Sequence, residues 1–381
     1  MNRRSVRSCV NVFKPYNKVK LSITNRSSFA LSILLLGMLS CAQAAELDVR
    51  LKYLNGSNDV VLTGIENNEI VLRPLGSDRG GRAYLNIDEL QQQRVALLFP
   101  FPEAYYKAVE QMEQGNALTA LPQIQQEAVP LLDYLPLSVL PGNLMPTVLS
   151  YLDALRGSQR WKDAVDVAIR IPLAIAPEAT LTYVGDMALE LHQSGEIMAL
   201  DLLHAHIVQT RGMTDNQLAL AMEIADQWRE RQEYLRAYQL YQKIQVVESS
   251  QQTLSRLWVA YCSFYLGHEI VPQIFLDVLP EMDVTTYGYS LRELIKARLR
   301  YREEAYDTAI RSAAEGKTYS NATDPWYPEL LYMVGLLYQQ RGMDAAANTA
   351  YREVSILFPA SPWATESLES LENLTSELST L

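Results

Sequence analysis

Residues 328–361 decide the fold of this chain, and their sequence is PELLYMVGLLYQQRGMDAAANTAYREVSILFPAS. Large apolar residues recur there every three or four positions, which predicts two amphipathic helices. Gly335 and Ala347 are small residues on the apolar faces, so they allow the two helices to approach closely. Gly342 gives the turn between the helices its backbone freedom, and Pro359 ends the second helix. The stretch is therefore predicted to be one helix-turn-helix unit.

The same pattern recurs upstream at nearly regular intervals. Six units begin at residues 145, 181, 218, 255, 290 and 328, which are 36, 37, 37, 35 and 38 residues apart. A fixed period of this length is the signature of a solenoid, in which each unit packs mainly on its neighbours. The sequence thus predicts a mostly α-helical repeat array over residues 145–361.

The last unit resembles the tetratricopeptide repeat, because both its residue types and their spacing agree with that family. The residues that carry the resemblance are Leu331, Val334, Gly335, Tyr338, Gly342, Ala347, Tyr351, Val354 and Pro359. The resemblance implies an α-solenoid whose first helices line a concave groove, where a partner peptide or helix lies. It identifies the chain as a suspected exported bacterial member of that family.

The segments that flank the array have other textures. Residues 45–99 alternate short apolar runs with turn residues, which predicts a small β-rich domain. Its order of runs and turns is similar to small Sm-like or SH3-like barrels, and a plain hairpin cap is the alternative. Residues 100–144 are predicted to be an irregular helical connector, since prolines disturb the register there. Residues 362–381 are predicted to form a capping helix and tail.

Residues 1–44 have the organisation of a cleaved signal peptide. Seven basic residues and no acidic residue precede Glu46, an apolar run covers residues 29–39, and Ala42-Gln43-Ala44 ends the segment. We therefore expect a periplasmic or secreted protein. An uncleaved anchor is the weaker alternative. Lipidation at Cys41 is another alternative, and it would make the chain an outer-membrane lipoprotein; only then is membrane association expected.

Composition and missing motifs argue for binding over catalysis. Loss of the signal peptide leaves 26 basic and 44 acidic residues, a net charge of −18, which disfavours nucleic acid as a partner. Cys262 is then the only cysteine and is predicted to be a buried structural thiol. His204 and His206 are two apart on a helix and cannot jointly bind zinc. We expect no cofactor, no metal and no enzymatic activity.

The tetratricopeptide resemblance also assigns groove positions, namely the second, fifth, ninth, twelfth and thirteenth places of each unit. The candidate partner-binding residues are Asp153, Arg156, His192, Asp226, Arg229, Arg298, Tyr301, Arg302, Tyr332, Gln339 and Gln340. Arg298, Tyr301 and Arg302 are the most distinctive set, because arginine and tyrosine dominate interface energetics. They predict a positive patch that selects an acidic segment or a carboxylate terminus. The alternative is a set of solvated helix faces.

These observations favour an exported protein-interaction scaffold in bacterial cell-envelope assembly or maintenance. The segment FPASP at residues 358–362 is similar to repeats in bacterial envelope factors. Two alternatives stay open. One is a structural or accessory subunit of a secretion or surface machine, and the other is a non-catalytic helper of an envelope enzyme.

Overall fold

A computed structural model describes residues 46–66, 69–76, 81–268, 271–278 and 281–379. The predicted signal peptide and Cys41 lie outside the described residues. Within those ranges the chain forms one small antiparallel sheet followed by a long array of helix pairs. No helix in this part of the chain is long and apolar enough to cross a membrane.

The N-terminal sheet has five antiparallel strands in the order β4-β3-β2-β1-β5. Its elements are β1 Leu47–Tyr53, β2 Gly56–Glu66, β3 Glu69–Pro74, β4 Ala83–Asn86, the short helix α1 Ile87–Gln92, and β5 Ala96–Leu98. The last strand returns to pair with the first, with Arg50 opposite Leu98 and Lys52 opposite Ala96. A plain hairpin cap would lack this pairing between the first and the last strand. The five strands therefore form a more closed sheet than a plain hairpin cap would.

Seven helix pairs and one final helix follow the sheet. They are α2 Glu103–Glu113, α3 Ala117–Ala128, α4 Leu144–Gly157, α5 Trp161–Ala168, α6 Glu178–Gln193, α7 Ile197–Gln209, α8 Asp215–Glu230, α9 Tyr234–Gln245, α10 Gln252–Tyr265, α11 Val271–Val278, α12 Tyr289–Arg302, α13 Tyr306–Thr318, α14 Tyr327–Gln340, α15 Asp344–Leu357 and α16 Pro362–Ser379. The predicted fold class is confirmed, since each of the six predicted units coincides with one helix pair. The additional pair, α2 and α3, lies where the sequence predicts a connector, and its second helix continues through Pro122.

The packing between the two helices of the last pair, α14 and α15, depends on the absence of a side chain at Gly335. A Cβ atom at Gly335 would lie 2.8 Å from the ring of Tyr351 and 3.3 Å from Cβ of Ala350. Tyr351 is fully buried, so its ring has little room to move away. The close approach predicted at Gly335 is therefore real, and its nearest partner is Tyr351.

The sheet is attached to the helix array through Asn143, the residue before α4. The side-chain amide of Asn143 donates to the carbonyl oxygen of Phe99 and accepts from its backbone N–H, each at 2.8 Å. Gly142 has a φ of 38°, and a Cβ there would lie 2.0 Å from the carbonyl oxygen of Leu97. Any larger residue at this position would push the two backbones apart. The sheet and the first helix pairs consequently share one hydrophobic core.

A left-handed backbone conformation recurs in the turn between the two helices of each pair. The residues with positive φ in these turns are Gly115, Gln159, Gly195, Gln232, Gly267, Glu304 and Gly342. Gly342 has a φ of 68°, as its predicted role requires. A side chain in this conformation costs about 1–2 kcal/mol, so the turns at Gln159, Gln232 and Glu304 are strained.

We predict that Glu304→Gly stabilises the protein by about 0.5–1 kcal/mol, because glycine adopts a φ of 59° without steric cost. Thermal unfolding followed by circular dichroism measures the effect. Glu303→Gly is the control, because its φ is −79° and glycine there relieves no strain; it adds chain entropy and removes an exposed ion pair with Arg300. Equal midpoints for the two variants would contradict the strain in this turn.

Candidate functional site

The first helices of the pairs lie on the inner side of the solenoid. Tyr261 on α10 donates a hydrogen bond to Glu329 on α14, although the pair α12–α13 intervenes in the chain. The rings of Trp258 and Trp326 on these two segments are 5.7 Å apart. First helices of repeats two apart can only meet on the inside of a curve. We call the surface of α4, α6, α8, α10, α12 and α14 the inner face.

The first predicted groove residues join α4 to α6. Arg156 donates to both carboxylate oxygens of Glu190, at 2.7 and 3.1 Å. Its guanidinium lies 4.5 Å from the ring centroid of Tyr183, and the Tyr183 hydroxyl donates to Asp153 at 2.7 Å. Asp153 and Arg156 thus belong to a closed cluster of charged and aromatic groups at the junction of two repeats.

A second cluster surrounds Arg229, a nearly buried residue on α8. Its guanidinium lies 3.9 Å from the ring of Trp258 and its Nε donates to the Tyr241 hydroxyl at 3.2 Å. That hydroxyl donates to Asp226 at 2.5 Å, and Asp226 also pairs with Arg229 at 3.2 Å. His192, by contrast, is half-buried and lies 3.0 Å from a carboxylate oxygen in the turn before α9.

The third cluster has Glu329 at its centre, a carboxylate that is only 1% exposed. Its two oxygens accept hydrogen bonds from Tyr261 at 2.7 Å, from Tyr265 at 2.6 Å and from Arg298 at 2.8 Å. Burial raises the pKa of both tyrosine hydroxyls well above the ordinary value, so both stay protonated and donate. The guanidinium also lies 4.9 Å from the ring of Trp363 on α16. One carboxylate therefore joins α10, α12, α14 and the capping helix.

Tyr301 and Arg302 lie at the end of α12, apart from this cluster. The Tyr301 ring lies 5.6 Å from that of Tyr306. The exposed guanidinium of Arg302 covers the ring of Phe264 at 4.2 Å. Both side chains have aromatic partners within the chain, and Arg302 keeps an exposed cationic edge.

The remaining predicted residues lie on α14. Tyr332 packs against Tyr351 and Trp363, with ring centroids 5.7 and 5.3 Å away. Gln339 accepts a hydrogen bond from the Tyr351 hydroxyl at 2.8 Å, and Gln340 is exposed. The eleven predicted residues are consequently spread over several repeat junctions and do not converge on one pocket.

The expectation of an exposed positive patch is wrong for Arg298. Its side chain is 13% exposed and its charge is balanced by Glu329. The spacing of four residues does put Arg298 and Arg302 on one helix face, but the curvature of the array brings a buried carboxylate against the first of them. The alternative of a solvated helix face is also wrong for Arg298, for the same reason.

Sequence reasoning missed the partners of these arginines. Glu329 occupies the second place of the last unit, which is a groove position in the same template, so that signal was present. Tyr261 and Tyr265 lie in the unit that begins at residue 255, two repeats before Glu329, and Trp363 lies in the capping helix. Only the curvature of the array reveals that these side chains meet.

Buried titratable groups elsewhere in the array are held in their neutral forms. His204 is 3% exposed, and burial lowers its pKa to about 4. Burial also lowers the pKa of His206, whose Nε2 lies 2.9 Å from the carbonyl oxygen of Ile171. The Cys262 thiol is buried, and burial raises its pKa. Within the described ranges, no three metal-ligating side chains are grouped together.

Comparisons with known proteins find similarity only among solved structures. No protein-family model and no curated protein matches the chain. BtubC (BKLC) from P. vanneervenii is 10% identical with a TM-score of 0.32, over 68% of this chain and 90% of that one. The C-terminal part of a TPR repeat-containing protein from Cytophaga hutchinsonii is 12% identical with a TM-score of 0.34, over 69% and 99%. Similarities at this level carry no argument about function, and the fold assignment rests on the helix pairs themselves.

We predict that Glu329→Leu destabilises the protein by about 3–5 kcal/mol, because it leaves the Arg298 charge buried and unpaired. Arg298→Leu should be similarly costly, and the double variant should lose clearly less than the two single effects combined. Urea unfolding of the four proteins measures this coupling. Arg300→Leu, which breaks an exposed pair on the same helix, is the control and should cost less than about 0.5 kcal/mol. If the effects of the two single substitutions on the free energy of unfolding were strictly additive, this would contradict a direct interaction between Arg298 and Glu329.

We predict that His204 makes the protein less stable as the pH falls from 7 to 5. The unfolded imidazole takes up a proton near pH 6.5, whereas the folded one does so only near pH 4. The free energy of unfolding is therefore about 2 kcal/mol lower at pH 5 than at pH 7. His204→Gln should flatten this dependence, and His268→Gln, an exposed control, should not. Parallel pH profiles for all three proteins would argue against a buried neutral His204.

Proposed function

We propose that this chain is an exported, non-catalytic protein-interaction scaffold of the bacterial cell envelope and a divergent member of the tetratricopeptide family. The observation that supports binding most directly is the array itself, seven consecutive helix pairs whose buried residues form one large core cluster, with a smaller cluster at α15 and the capping helix. Such an array presents a long, continuous surface on which other proteins can bind.

Internal ion pairs give this surface a defined shape. Arg156, Arg229 and Arg298 each pair with a carboxylate and lie against an aromatic ring, and all three clusters reach between the first helices of different repeats. A surface that is ordered before binding loses less conformational entropy when a partner arrives. Rigid junctions between repeats therefore support a binding role.

The charge of the inner face favours protein partners that are not acidic there. Arg156, Arg229 and Arg298 are already paired with carboxylates and are largely buried, whereas Asp153, Glu190 and Glu230 keep 45%, 43% and 62% of their side chains exposed. Together with a mature net charge of −18, these carboxylates disfavour nucleic acid and acidic peptides. A basic peptide segment suits this face better than the acidic segment or carboxylate terminus that the sequence suggests.

The state of the buried nucleophiles supports a non-catalytic role. His204 stays neutral at physiological pH, and a buried Cys262 with a raised pKa is a poor nucleophile. Membrane association is proposed only if Cys41 is lipidated.

Photo-crosslinking in cells tests the scaffold proposal. A benzophenone amino acid is placed at Gln193 or Gln340 on the inner face, at Leu202 on the outer face of α7, or at the exposed polar controls Lys162 and Thr349. We expect discrete adducts in the periplasmic fraction from some of the first three positions and none from the controls. Equal adducts from all five positions, or none from any, would contradict a scaffold.

A further inference from the structure

The outer face of the array changes character at the second helices α7 and α9. On α5 and α13 the exposed outward positions include Lys162, Asp166 and Arg311, which are ordinary solvated residues. On α7, Met198 and Leu202 are 85% and 55% exposed. On α9 Leu235 is 56% exposed, and Val246, the residue after this helix, is 76% exposed. Exposed apolar residues also occur on other second helices, such as Ile274 on α11 and Ile356 on α15. At α7 and α9 they belong to two neighbouring helices, and such patches mark contact surfaces in soluble proteins.

These two helices enclose a groove. Two adjoining cavities of about 430 and 600 Å³ lie along it, and both are lined by Val208 and Gln209. The apolar lining of the outer groove consists of Ala205, Val208, Met213, Leu218, Leu235, Val246 and Val247. Since α7 has 13 residues, the groove is about 20 Å long, which is the length of three to four helical turns.

The base of the outer groove contains the polar side chains of His204 and Arg236. His204 Nε2 lies 3.0 Å from the Gln239 side-chain oxygen, which only accepts, so Nε2 carries the proton. Arg236 pairs with Asp201 at 2.8 Å and with Glu233 at 3.8 Å. These contacts hold the polar side chains in place beneath the apolar lining.

The rim of the groove carries opposite charges at its two ends. Both α7 and α9 are second helices, so their N-terminal ends lie at the same end of the groove. Glu196, Asp201 and Glu233 cluster at that end, where Arg236 pairs with Asp201 and Glu233, so the end keeps a net negative charge. Arg211 and Lys243 line the other end. A bound segment is therefore expected to have basic residues at one end and acidic residues at the other.

We propose that the outer groove binds an amphipathic α-helix of a partner protein, antiparallel to α7 and α9. A groove between two helices accommodates a third helix through apolar residues at positions i, i+3, i+4 and i+7. In this orientation the acidic N-terminal half of the partner helix lies beside Arg211 and Lys243. Its basic C-terminal half lies beside Glu196, Asp201 and Glu233. The same charge order stabilises the partner helix through its own dipole. This inference rests on the proposed scaffold function and specifies the partner's chemistry.

Two synthetic peptides test the inference on the mature chain. Both have 16 residues, the same composition and the same leucine stripe. The forward peptide has glutamates in its N-terminal half and lysines in its C-terminal half, and the reversed peptide has the opposite order. Fluorescence anisotropy should show that the forward peptide binds about tenfold more tightly, a difference of about 1.4 kcal/mol.

Variants of the chain separate the groove from other surfaces. Leu235→Glu and Val246→Glu, both in the lining of the groove, should each weaken binding of the forward peptide about tenfold or more, because a carboxylate would lie against the apolar stripe. Ile356→Glu is the matched control, because Ile356 on α15 is 73% exposed and Val246 is 76% exposed, and this variant should bind normally. The double variant Glu196→Lys with Arg211→Glu should abolish most of the preference between the peptides, because it leaves no net charge at either end of the groove. That loss does not depend on how helical each peptide is alone.

Any of three results would contradict the proposal that the outer groove binds a partner helix. The first is equal binding of the forward peptide by the parent chain and Leu235→Glu. The second is an unchanged peptide preference in the double charge variant, and the third is no binding of either peptide. If crosslinked adducts still form at Gln193 or Gln340, the scaffold function stands and only the groove assignment falls. If no position gives an adduct, the scaffold proposal itself falls. Unchanged thermal midpoints confirm that the variants remain folded, since all the altered side chains are exposed.

Discussion

The C-terminal half of the array depends on the hydrogen bonds and the ion pair of the buried Glu329 carboxylate. A buried negative charge is tolerable only with a cation and further donors close by, and Arg298, Tyr261 and Tyr265 provide them. Because these donors come from α10 and α12, the charge dictates how sharply three repeats curve. The same contact brings the capping helix into place through Trp363, which covers the guanidinium.

This arrangement has a consequence for binding. Arginines that could attract a partner's carboxylate on the inner face are instead consumed by carboxylates of the chain itself, as at Arg156, Arg229 and Arg298. The inner face therefore gains rigidity and loses positive potential. Exposed apolar side chains lie on the outer side of second helices, among them Leu202 on α7 and Leu235 on α9. The ion pairs that join first helices thus lie on a different side from these apolar groups.

The sequence predicted the features that depend on residues close together in the chain better than those that depend on distant residues. The small residue Gly335 and the turn residue Gly342 act within one helix pair, so the helical period and the repeat interval were enough to place them. The pair α2–α3 was harder, because Pro122 disturbs the pattern while the helix continues through it. Arg298 was misread because its partner lies 31 residues away, and no local pattern indicates which of several carboxylates will reach it.

The sequence by itself determined the helix pairs, their number after residue 145 and the turns between them, because apolar period, small residues and glycine act over a few residues. Only the tertiary structure decided which side chains face each other across repeats. Small rotations between neighbouring pairs add up along a solenoid, and their sum brings Tyr261 to Glu329 and leaves the groove between α7 and α9 open. That sum is set by the packing of every junction, which no single stretch of sequence encodes.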